Sequence, residues 1–373
     1  MKVVIARTES YTPSAVAAGL DEVLAGLGGM SAFIRPGDRV LIKPNMLEGL
    51  PPAKAVTTHP EVVRGVIRAV RAAGGVVMVG DSPGIGGTVR VADRCGILAV
   101  CREEGVELVA FDAAVELAVP EGGTVKRLEV AAPLTRTDKV ISVAKMKTHS
   151  FMTVTGAVKN LFGFIVGPHK AQFHLRMKRR DYFAGMLVDL ARLVSPVLYI
   201  VDGVVGMEGN GPRNGQPKEV GVLMGGANGF AVDLVMARVM GLPAEKLPVA
   251  ARALALGLTP PLADIEVLGS GAAVQTIFAP PKNLESLEGR LPGWLVGFCQ
   301  YHLTARPAIG DACIGCRRCA EHCPPAAITM KDGRAAIDLG RCIRCYCCQE
   351  LCPAGAVGLT DGLLLKAAKR VLK

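Results

Sequence analysis

Apolar stretches alternate with amphipathic stretches along the first three quarters of the chain. Short runs rich in Val, Ile and Leu recur between segments whose apolar residues have helical spacing. Continuous apolar strands alternating with helices are typical of a parallel or mixed sheet that is covered on both faces. The predicted strands are residues 2–6, 39–42, 76–79, 107–111, 139–144, 197–201 and 220–224, and the predicted helices are 13–27, 60–73, 89–104 and 229–240. We therefore expect an α/β fold.

Polar residues follow nearly every predicted strand. Open α/β sheets bind ligands at the carboxyl ends of their strands, so these residues form a candidate cofactor or substrate site. Taken singly, each is as readily a solvated loop residue or a helix cap, and only the group as a whole favours a site. The group consists of Lys43, Asn45, Asp81, Ser82, Lys145, Lys147, His149 and Asp202.

Two further segments suit an anionic ligand. Residues 155–163 read as a helix start with small residues followed by Lys159 and Asn160, an arrangement that can bind a phosphate or carboxylate. The alternative is an ordinary helix with a solvated lysine. The basic run at 169–180 is either a lid over an anion or a solvated face. The glycine-rich segment 202–212 allows close backbone approach to a ligand, but it lacks the Lys-Ser/Thr of a P-loop.

Length and composition indicate a multidomain protein with a large core. The chain has 373 residues, which suggests two or three domains, and half of its residues are hydrophobic. No run of about 20 apolar residues is present, so no membrane span is expected. The first ten residues lack the apolar region and the cleavage site of a signal peptide, and we expect a cytoplasmic protein.

Cysteine spacing is the strongest signal in the sequence. Of twelve cysteines, nine lie between Cys313 and Cys352. The spacing C-x2-C-x2-C-x3-C-P, typical of bacterial two-cluster ferredoxins, occurs twice with a period of 29 residues. The first copy is Cys313, Cys316, Cys319 and Cys323, and the second is Cys342, Cys345, Cys348 and Cys352. This duplication predicts a small α+β ferredoxin-like domain with two [4Fe-4S] clusters.

The fourth cysteine of each copy is expected to bind the other cluster. One cluster would then take the first three cysteines of the first copy with Cys352, and the other would take those of the second copy with Cys323. Zinc sites usually have two separated C-x2-C pairs, so zinc is disfavoured. Cys347 leaves C-x2-C-x-C open as an alternative spacing, and we interpret it as a spare thiol that tunes the cluster or packs nearby. Cys95, Cys101 and Cys299 read as buried core residues.

The formal net charge is +10, and two oxidised clusters with their eight thiolates would lower it to about +6. A basic balance favours nucleic acid, an acidic protein or an anionic small ligand. Nucleic acid is excluded because no nucleic-acid motif and no aromatic platform is present. The expected partners are an anionic small-molecule substrate or an acidic redox protein, and the chain could also form a homo-oligomer.

Five segments in order give the chain a family resemblance: KPN at 43–45, GDSPG at 80–84, KMKTHS at 145–150, TGAVKNLFG at 155–163 and VDGVVGMEGNGP at 201–212. This set resembles the DUF362 family of iron–sulfur proteins, whose reaction the family name does not define. A distant similarity to the lactate racemase fold rests on pattern alone, and without that enzyme's signature no nickel cofactor is implied.

The expected domains are a DUF362-like α/β domain at 1–290, a linker at 291–306, the ferredoxin-like domain at 307–362 and a C-terminal helix at 363–373. The first hypothesis is an oxidoreductase whose clusters exchange electrons with a substrate or a flavin in the α/β domain. The alternative is a non-enzymatic electron donor or maturation factor for a partner protein. A third hypothesis, purely structural clusters, fits the ferredoxin spacing poorly.

Overall fold

The computed structural model describes residues 1–84, 86–166, 180–281, 306–323, 325–344 and 346–360. Nine strands of the larger domain form one sheet. They are β1 (Lys2–Arg7), β2 (Arg39–Pro44), β3 (Val76–Asp81), β4 (Glu107–Ala110), β7 (Lys139–His149), β8 (Thr153–Thr155), β9 (Leu198–Glu208), β10 (Gln216–Gly226) and β11 (Glu266–Leu268). A separate antiparallel hairpin consists of β5 (Ala114–Ala118) and β6 (Arg127–Ala131).

The sheet is mixed, in the order β11-β1-β10-β9-β7-β2-β3-β4, and β8 pairs with β7. Strands β9, β7, β2, β3 and β4 are mutually parallel, whereas β10 runs antiparallel to both β9 and β1. Two reversals restore direction, so β1 also points the same way as β9. The carboxyl ends of β1, β9, β7, β2 and β3 therefore share one edge, as the strand pattern predicted.

Helices cover both faces of the sheet. They are α1 (Pro13–Gly26), α2 (Pro60–Ala72), α3 (Thr88–Arg94), α4 (Ile97–Glu103), α5 (Ala157–Asn160), α6 (Arg180–Val194), α7 (Gly229–Val239) and α8 (Pro248–Ala255). Alternate residues of a strand enter opposite cores: Val3 and Ile5 pack with α5–α8, and Val4 packs with α1–α4. No helix among the described residues is long and apolar enough to cross a bilayer.

The observed elements differ from the sequence prediction in several places. The helix predicted over 89–104 is divided into α3 and α4 because Gly96 takes a left-handed conformation with φ of 81°. Strand β7 extends five residues further than predicted, so that Lys145, Lys147 and His149 lie within the strand. The hairpin β5–β6 was not predicted.

The cysteine-rich domain is small and strand-rich, as expected. Its elements are β12 (Arg306–Ile309), α9 (Arg318–Glu321), β13 (Ile328–Lys331), β14 (Arg334–Ile337), α10 (Cys347–Leu351) and β15 (Val357–Thr360). Strands β12 and β15 pair antiparallel, as do β13 and β14. Most of the predicted linker and the predicted C-terminal helix lie outside the described residues. We call residues 306–360 the ferredoxin module.

The backbone of the module repeats with the period of its sequence. Left-handed φ values occur at Gly315 and Arg344, and again at Arg317 and Tyr346, each pair 29 residues apart. A left-handed non-glycine residue is strained unless its surroundings impose that conformation. Its recurrence at equivalent positions indicates that the two cysteine loops have the same required shape.

Candidate functional site

The first part of the predicted site is a buried ion pair between β2 and β3. Lys43 Nζ lies 2.7 Å from Asp81 Oδ1, and both side chains are almost fully shielded from solvent. The ammonium also donates to Pro44 O at 2.8 Å and to Asn160 Oδ1 at 3.1 Å. These three acceptors use all three ammonium protons. Burial lowers the pKa of Lys43, and the Asp81 carboxylate opposes that shift.

The TGAVKNLFG segment packs directly on this ion pair. Asn160 donates to Lys43 O and to Ser142 Oγ, both at 3.0 Å, which ties α5 to β2 and β7. A Cβ atom at Gly163 would lie 2.0 Å from Asp81 Oδ1 and 2.6 Å from Lys43 Nζ. Position 163 therefore requires glycine because its backbone lies against the charged groups themselves.

The second part is a buried ion pair between β7 and β9. Lys145 Nζ lies 2.9 Å from Asp202 Oδ2, and both side chains are shielded from solvent. Tyr11, which follows β1, accepts a hydrogen bond from Lys145 at 2.7 Å and donates to Asp202 Oδ1 at 2.8 Å. Asp202 further accepts from the backbone N–H groups of His59 and Val204. Burial lowers the pKa of Lys145 against the opposing effect of Asp202.

A stacked aromatic pair covers the Lys145–Asp202 ion pair. The rings of Tyr11 and His59 are 3.6 Å apart at their centroids and nearly parallel. His59 caps α2, because its Nδ1 accepts the N–H of Glu61 at 3.2 Å. Burial lowers the pKa of His59 to about 4, with Lys145 acting in the same direction, so the ring is neutral near pH 7.

Asn45 connects the first ion pair to Lys147. Its Nδ2 donates to Asn160 Oδ1 at 3.4 Å, and its Oδ1 accepts from Lys147 Nζ at 3.0 Å. Lys147 also donates to Val56 O at 2.7 Å and has no exposed surface. Lys43 packs with α5 on one face of the sheet, whereas Lys145 packs with the residues that precede α1 and α2 on the other face. The predicted residues thus share one edge but form two separate buried ion pairs.

His149 and Lys159 have other surroundings. His149 is buried, and its Nδ1 accepts from the N–H groups of Phe151 and Met152 in the turn that follows β7. Lys159 is half-buried, with its ammonium 5.4 Å from the centroid of the Phe162 ring. Neither residue has a hydrogen bond to Asp81 or Asp202 among those that the described residues show. Their roles at the site stay predictions.

The helix terminus expected to bind an anion is already occupied by a side chain. Helix α5 has only four residues, and its first N–H groups, on Ala157 and Val158, donate to Asp233 at 2.6 and 3.1 Å. The carboxyl group of Asp233 therefore accepts these hydrogen bonds within the chain. The anion role suggested for Lys159 and Asn160 stays a prediction. The basic run at 169–180 lies outside the described residues except for Arg180.

The edge also contains Tyr11 and His59, which the sequence pattern did not identify as site residues. Tyr11 lies in the polar stretch after β1, and β1 points to the same edge. His59 precedes α2, and its backbone N–H binds Asp202. The available signal was the position of each residue directly after a strand or before a helix that begins at this edge.

Four cysteines of the ferredoxin module line one cavity. Cys313, Cys316, Cys319 and Cys352 line it together with apolar residues such as Ile309 and Val357. Three of them come from the first copy of the repeat and the fourth comes from the second copy. This is the set that the sequence assigned to one cluster.

A second cavity has the matching composition. Cys323 from the first copy and Cys342 and Cys348 from the second copy line it, and Cys347 lies beside them. Cys345, the remaining predicted ligand, lies outside the described residues. Because Cys347 also reaches this cavity, the structure leaves open the alternative C-x2-C-x-C spacing.

The residues around both cavities fit iron–sulfur clusters chemically. The N–H of Ala327 donates to Cys323 Sγ and that of Ala356 donates to Cys352 Sγ, each at 3.2 Å and at equivalent repeat positions. Backbone hydrogen bonds from Ala335 and Gly315 lower the pKa of Cys313. Thiolates that receive N–H donors within an apolar wall are the environment that tunes such clusters. Within the described residues, no three His, Cys, Asp or Glu side chains meet as they would around a single metal ion.

The module contacts the larger domain next to the candidate site. Gln349, which follows Cys348, is buried, and its Oε1 lies 3.2 Å from Ser150 Oγ, directly after β7. Asn214 donates to Gln349 O at 3.0 Å. Tyr346 and Leu359 belong to the same apolar core as α6 and α7. The second cysteine loop is therefore packed against the end of the strand that carries Lys145 and Lys147.

An α/β domain with buried lysine–aspartate pairs at one sheet edge and a cysteine-lined ferredoxin module defines an iron–sulfur protein. Residues 312–356 match the 4Fe-4S dicluster domain family, and residues 40–238 match the domain of unknown function DUF362. The latter match spans more than half of the chain, and the chain belongs to the DUF362 family. The family expected from the five sequence segments is thereby confirmed.

Two known proteins are similar to this chain, one in sequence and one in structure. The thylakoid-associated protein sll1697 of Synechocystis sp. is 37% identical over 260 residues, which cover 69% of this chain and 80% of that protein. The lactate racemase apoprotein of Thermoanaerobacterium thermosaccharolyticum is 13% identical, with a TM-score of 0.38, and the match covers 61% of this chain. The chain spans only 54% of the length of that racemase.

Proposed function

We propose that the protein is an iron–sulfur oxidoreductase. Two [4Fe-4S] clusters in the ferredoxin module would exchange electrons with a site at the carboxyl edge of the sheet. Cys313, Cys316, Cys319 and Cys352 would hold one cluster, and Cys342, Cys345, Cys348 and Cys323 would hold the other. Each cluster supplies one-electron chemistry when bound. The lysines and asparagines at the edge would hold the substrate or an organic cofactor.

The observation that carries this proposal is the contact between Ser150 and Gln349. Gln349 is joined covalently to Cys348, and Ser150 continues the strand of His149, Lys147 and Lys145. The single proton of the Ser150 hydroxyl has two acceptors, Gly211 O at 2.9 Å and Gln349 Oε1 at 3.2 Å. This contact therefore connects the second cysteine loop to the strand that carries the candidate site. A module that served only as a structural support would not need its cysteine loop at this edge.

The charge of the edge favours an anionic substrate. Three lysines, Lys43, Lys145 and Lys147, are buried within two neighbouring strands. Asp81 and Asp202 offset two of these charges, so one ammonium is in excess among these five side chains, and little water screens it. A carboxylate or phosphate group on the substrate would complement that charge. A flavin is a second candidate occupant of the edge.

The first test begins with anaerobic purification and with iron and sulfide assays. A reductive titration is then monitored by electron paramagnetic resonance, and compounds released by acid are identified by mass spectrometry. The proposal expects about eight irons per chain, signals from two reducible clusters and a released organic ligand. Lys147→Met should keep the iron and lose the ligand, whereas Lys246→Met, at an exposed position between α7 and α8, should keep both. Clusters that stay unreduced by every low-potential reductant would refute the proposal.

A second candidate function is a non-enzymatic electron donor or maturation factor for a partner protein. The observation in its favour is that polar groups at the edge already have partners within the chain. Lys43 uses all three ammonium protons in this way, and Asp202 accepts four hydrogen bonds. Eight irons without a released ligand, and with Lys147→Met unchanged in every readout, would select this function.

A further inference from the structure

The two cysteine-lined cavities differ in how the chain covers them. In the second cavity, Tyr346, Cys347 and Cys348 are buried, and Tyr346 belongs to the core of the larger domain. In the first cavity, Cys316 is exposed, and Ile314 exposes 68% of its surface. The two copies of the repeat have the same backbone shape, but the loop of the second copy faces the larger domain and the loop of the first copy faces solvent.

The outward loop combines an apolar centre with positive charge. Ile314 and Arg317 both line the first cavity and both are exposed. Arg317 forms no salt bridge within the described part of the chain. Arg334 lies nearby, because its guanidinium donates to Gly310 O at 2.8 Å and to Asp311 at 3.1 Å. We call Ile314, Cys316, Arg317 and Arg334 the outer loop surface.

We propose that the outer loop surface is the docking site for a small acidic electron-carrier protein. This inference rests on the proposed function, and it assigns the Cys313–Cys316–Cys319–Cys352 cavity as the external electron port and the second cavity as the internal one. The partner's redox centre would lose one electron, and Cys313, Cys316, Cys319 and Cys352 would hold the group that accepts it. No bond is made or broken, and the reverse transfer uses the same surface.

Charge complementarity decides the kind of partner. The chain has a formal net charge of +10, so a second copy of the chain is repelled, whereas an acidic carrier is attracted. An exposed isoleucine surrounded by charge is typical of a short-lived interface, with an apolar contact at its centre and steering charge at its rim. Electron-transfer encounters need only a small interface, and a loop of this size suits one.

The test uses the holoprotein and a reduced acidic ferredoxin of the plant type in stopped-flow experiments. Arg317→Glu should slow reduction about tenfold at low salt and weaken its dependence on ionic strength. Ile314→Ser should slow reduction at every salt concentration. Lys126→Glu, the same change of charge on the β5–β6 hairpin, should leave the rate within twofold.

Iron content and full reduction by dithionite are measured for every variant. If they are retained while reduction by the ferredoxin is slowed, the docking inference is supported. If dithionite fails on the wild type, the proposed function itself fails. Three results would overturn the docking inference. The first is an equal rate for Arg317→Glu and Lys126→Glu, and the second is a wild-type rate that does not vary with salt. The third is loss of the Arg317 effect together with binding of the outer loop surface to anionic vesicles.

Discussion

The guanidinium of Arg213 and the carboxylate of Glu48 form an ion pair at the boundary between the two domains, with 6% and 12% of their side chains exposed. Arg213 also donates to Pro353 O at 3.1 Å, one residue beyond Cys352. Glu48 lies in the loop between β2 and α2, and Lys147 donates to Val56 O in the same loop. One arginine therefore connects a cysteine loop to a loop of the candidate site.

We expect Arg213→Met to destabilise the protein by roughly 3–5 kcal/mol, because it leaves the Glu48 carboxylate shielded and without its cation. Arg213→Met with Glu48→Gln should recover part of that loss. Chemical denaturation of the holoprotein measures both variants. The comparison is Asp138→Asn, which removes the exposed partner of Arg39 and should cost far less stability than Arg213→Met. Equal losses for the two single variants would contradict the role of burial.

Gly163→Ala should open the Lys43–Asp81 ion pair. The new methyl group would overlap Asp81 Oδ1 and Lys43 Nζ, and neither can move into solvent. We expect a loss of roughly 3 kcal/mol from overpacking and the weakened ion pair, measured by thermal unfolding. Gly358→Ala is the matched control because nothing lies within 4 Å of its added Cβ. Iron content should be unchanged in both variants.

The sequence predicts which polar residues lie at the same edge of the sheet, but it does not predict which of them are in contact. Apolar runs define the strands, and parallel strands bring their carboxyl ends together, so Lys43, Asp81, Lys145 and Asp202 were correctly expected at one edge. The pairing of each lysine was not predictable. Lys43 lies opposite Ser142 and Lys145 lies opposite Asp202, and these registers are set by long-range packing.

The division into two centres has a similar cause. Alternation along a strand decides which face a lysine takes, and a register shift between Lys145 and Lys147 in β7 is invisible in a single sequence. The cysteine cavities were easier to predict because local spacing alone defines the loops. Even there, the contact of Gln349 with Ser150, 199 residues apart in the chain, had no local signal.

Replacing the fourth cysteine of either copy should affect only one of the two cavities. Cys352→Ser is expected to damage the cluster of the first three cysteines of the first copy, and Cys323→Ser the cluster of the second copy. Each variant should retain about four irons with a single type of cluster signal. Cys347→Ser should retain about eight irons if Cys347 is a spare thiol. Loss of four irons in Cys347→Ser would instead favour the C-x2-C-x-C spacing in the second copy.

Because the Ser150 hydroxyl proton is shared with Gly211 O, the coupling energy between Ser150 and Gln349 in a double-mutant cycle should be at most about 1 kcal/mol. Ser150→Ala leaves Gln349 Oε1 buried, and Gln349→Leu removes that oxygen at similar volume. The double variant should lose less free energy of unfolding than the sum of the losses in the two single variants. Denaturant unfolding of the holoprotein measures the cycle. Strict additivity would show that the two side chains are not coupled across the domain boundary.

Asp233 should make stability depend on pH. Burial raises the pKa of this carboxyl from 3.8 to about 7, against the effect of the Val158 and Ala157 N–H groups. Between about pH 5 and 7 the folded state holds a proton that the unfolded state has released. The free energy of unfolding should therefore fall by roughly 1.4 kcal/mol per pH unit across this window and level off above it. Asp233→Asn cannot titrate, so it should lower stability overall through one lost N–H bond and remove this slope. Denaturant unfolding at pH 5.5, 6.5 and 8, with iron content checked at each pH, measures the difference. An unchanged slope in Asp233→Asn would show that another group is responsible for it.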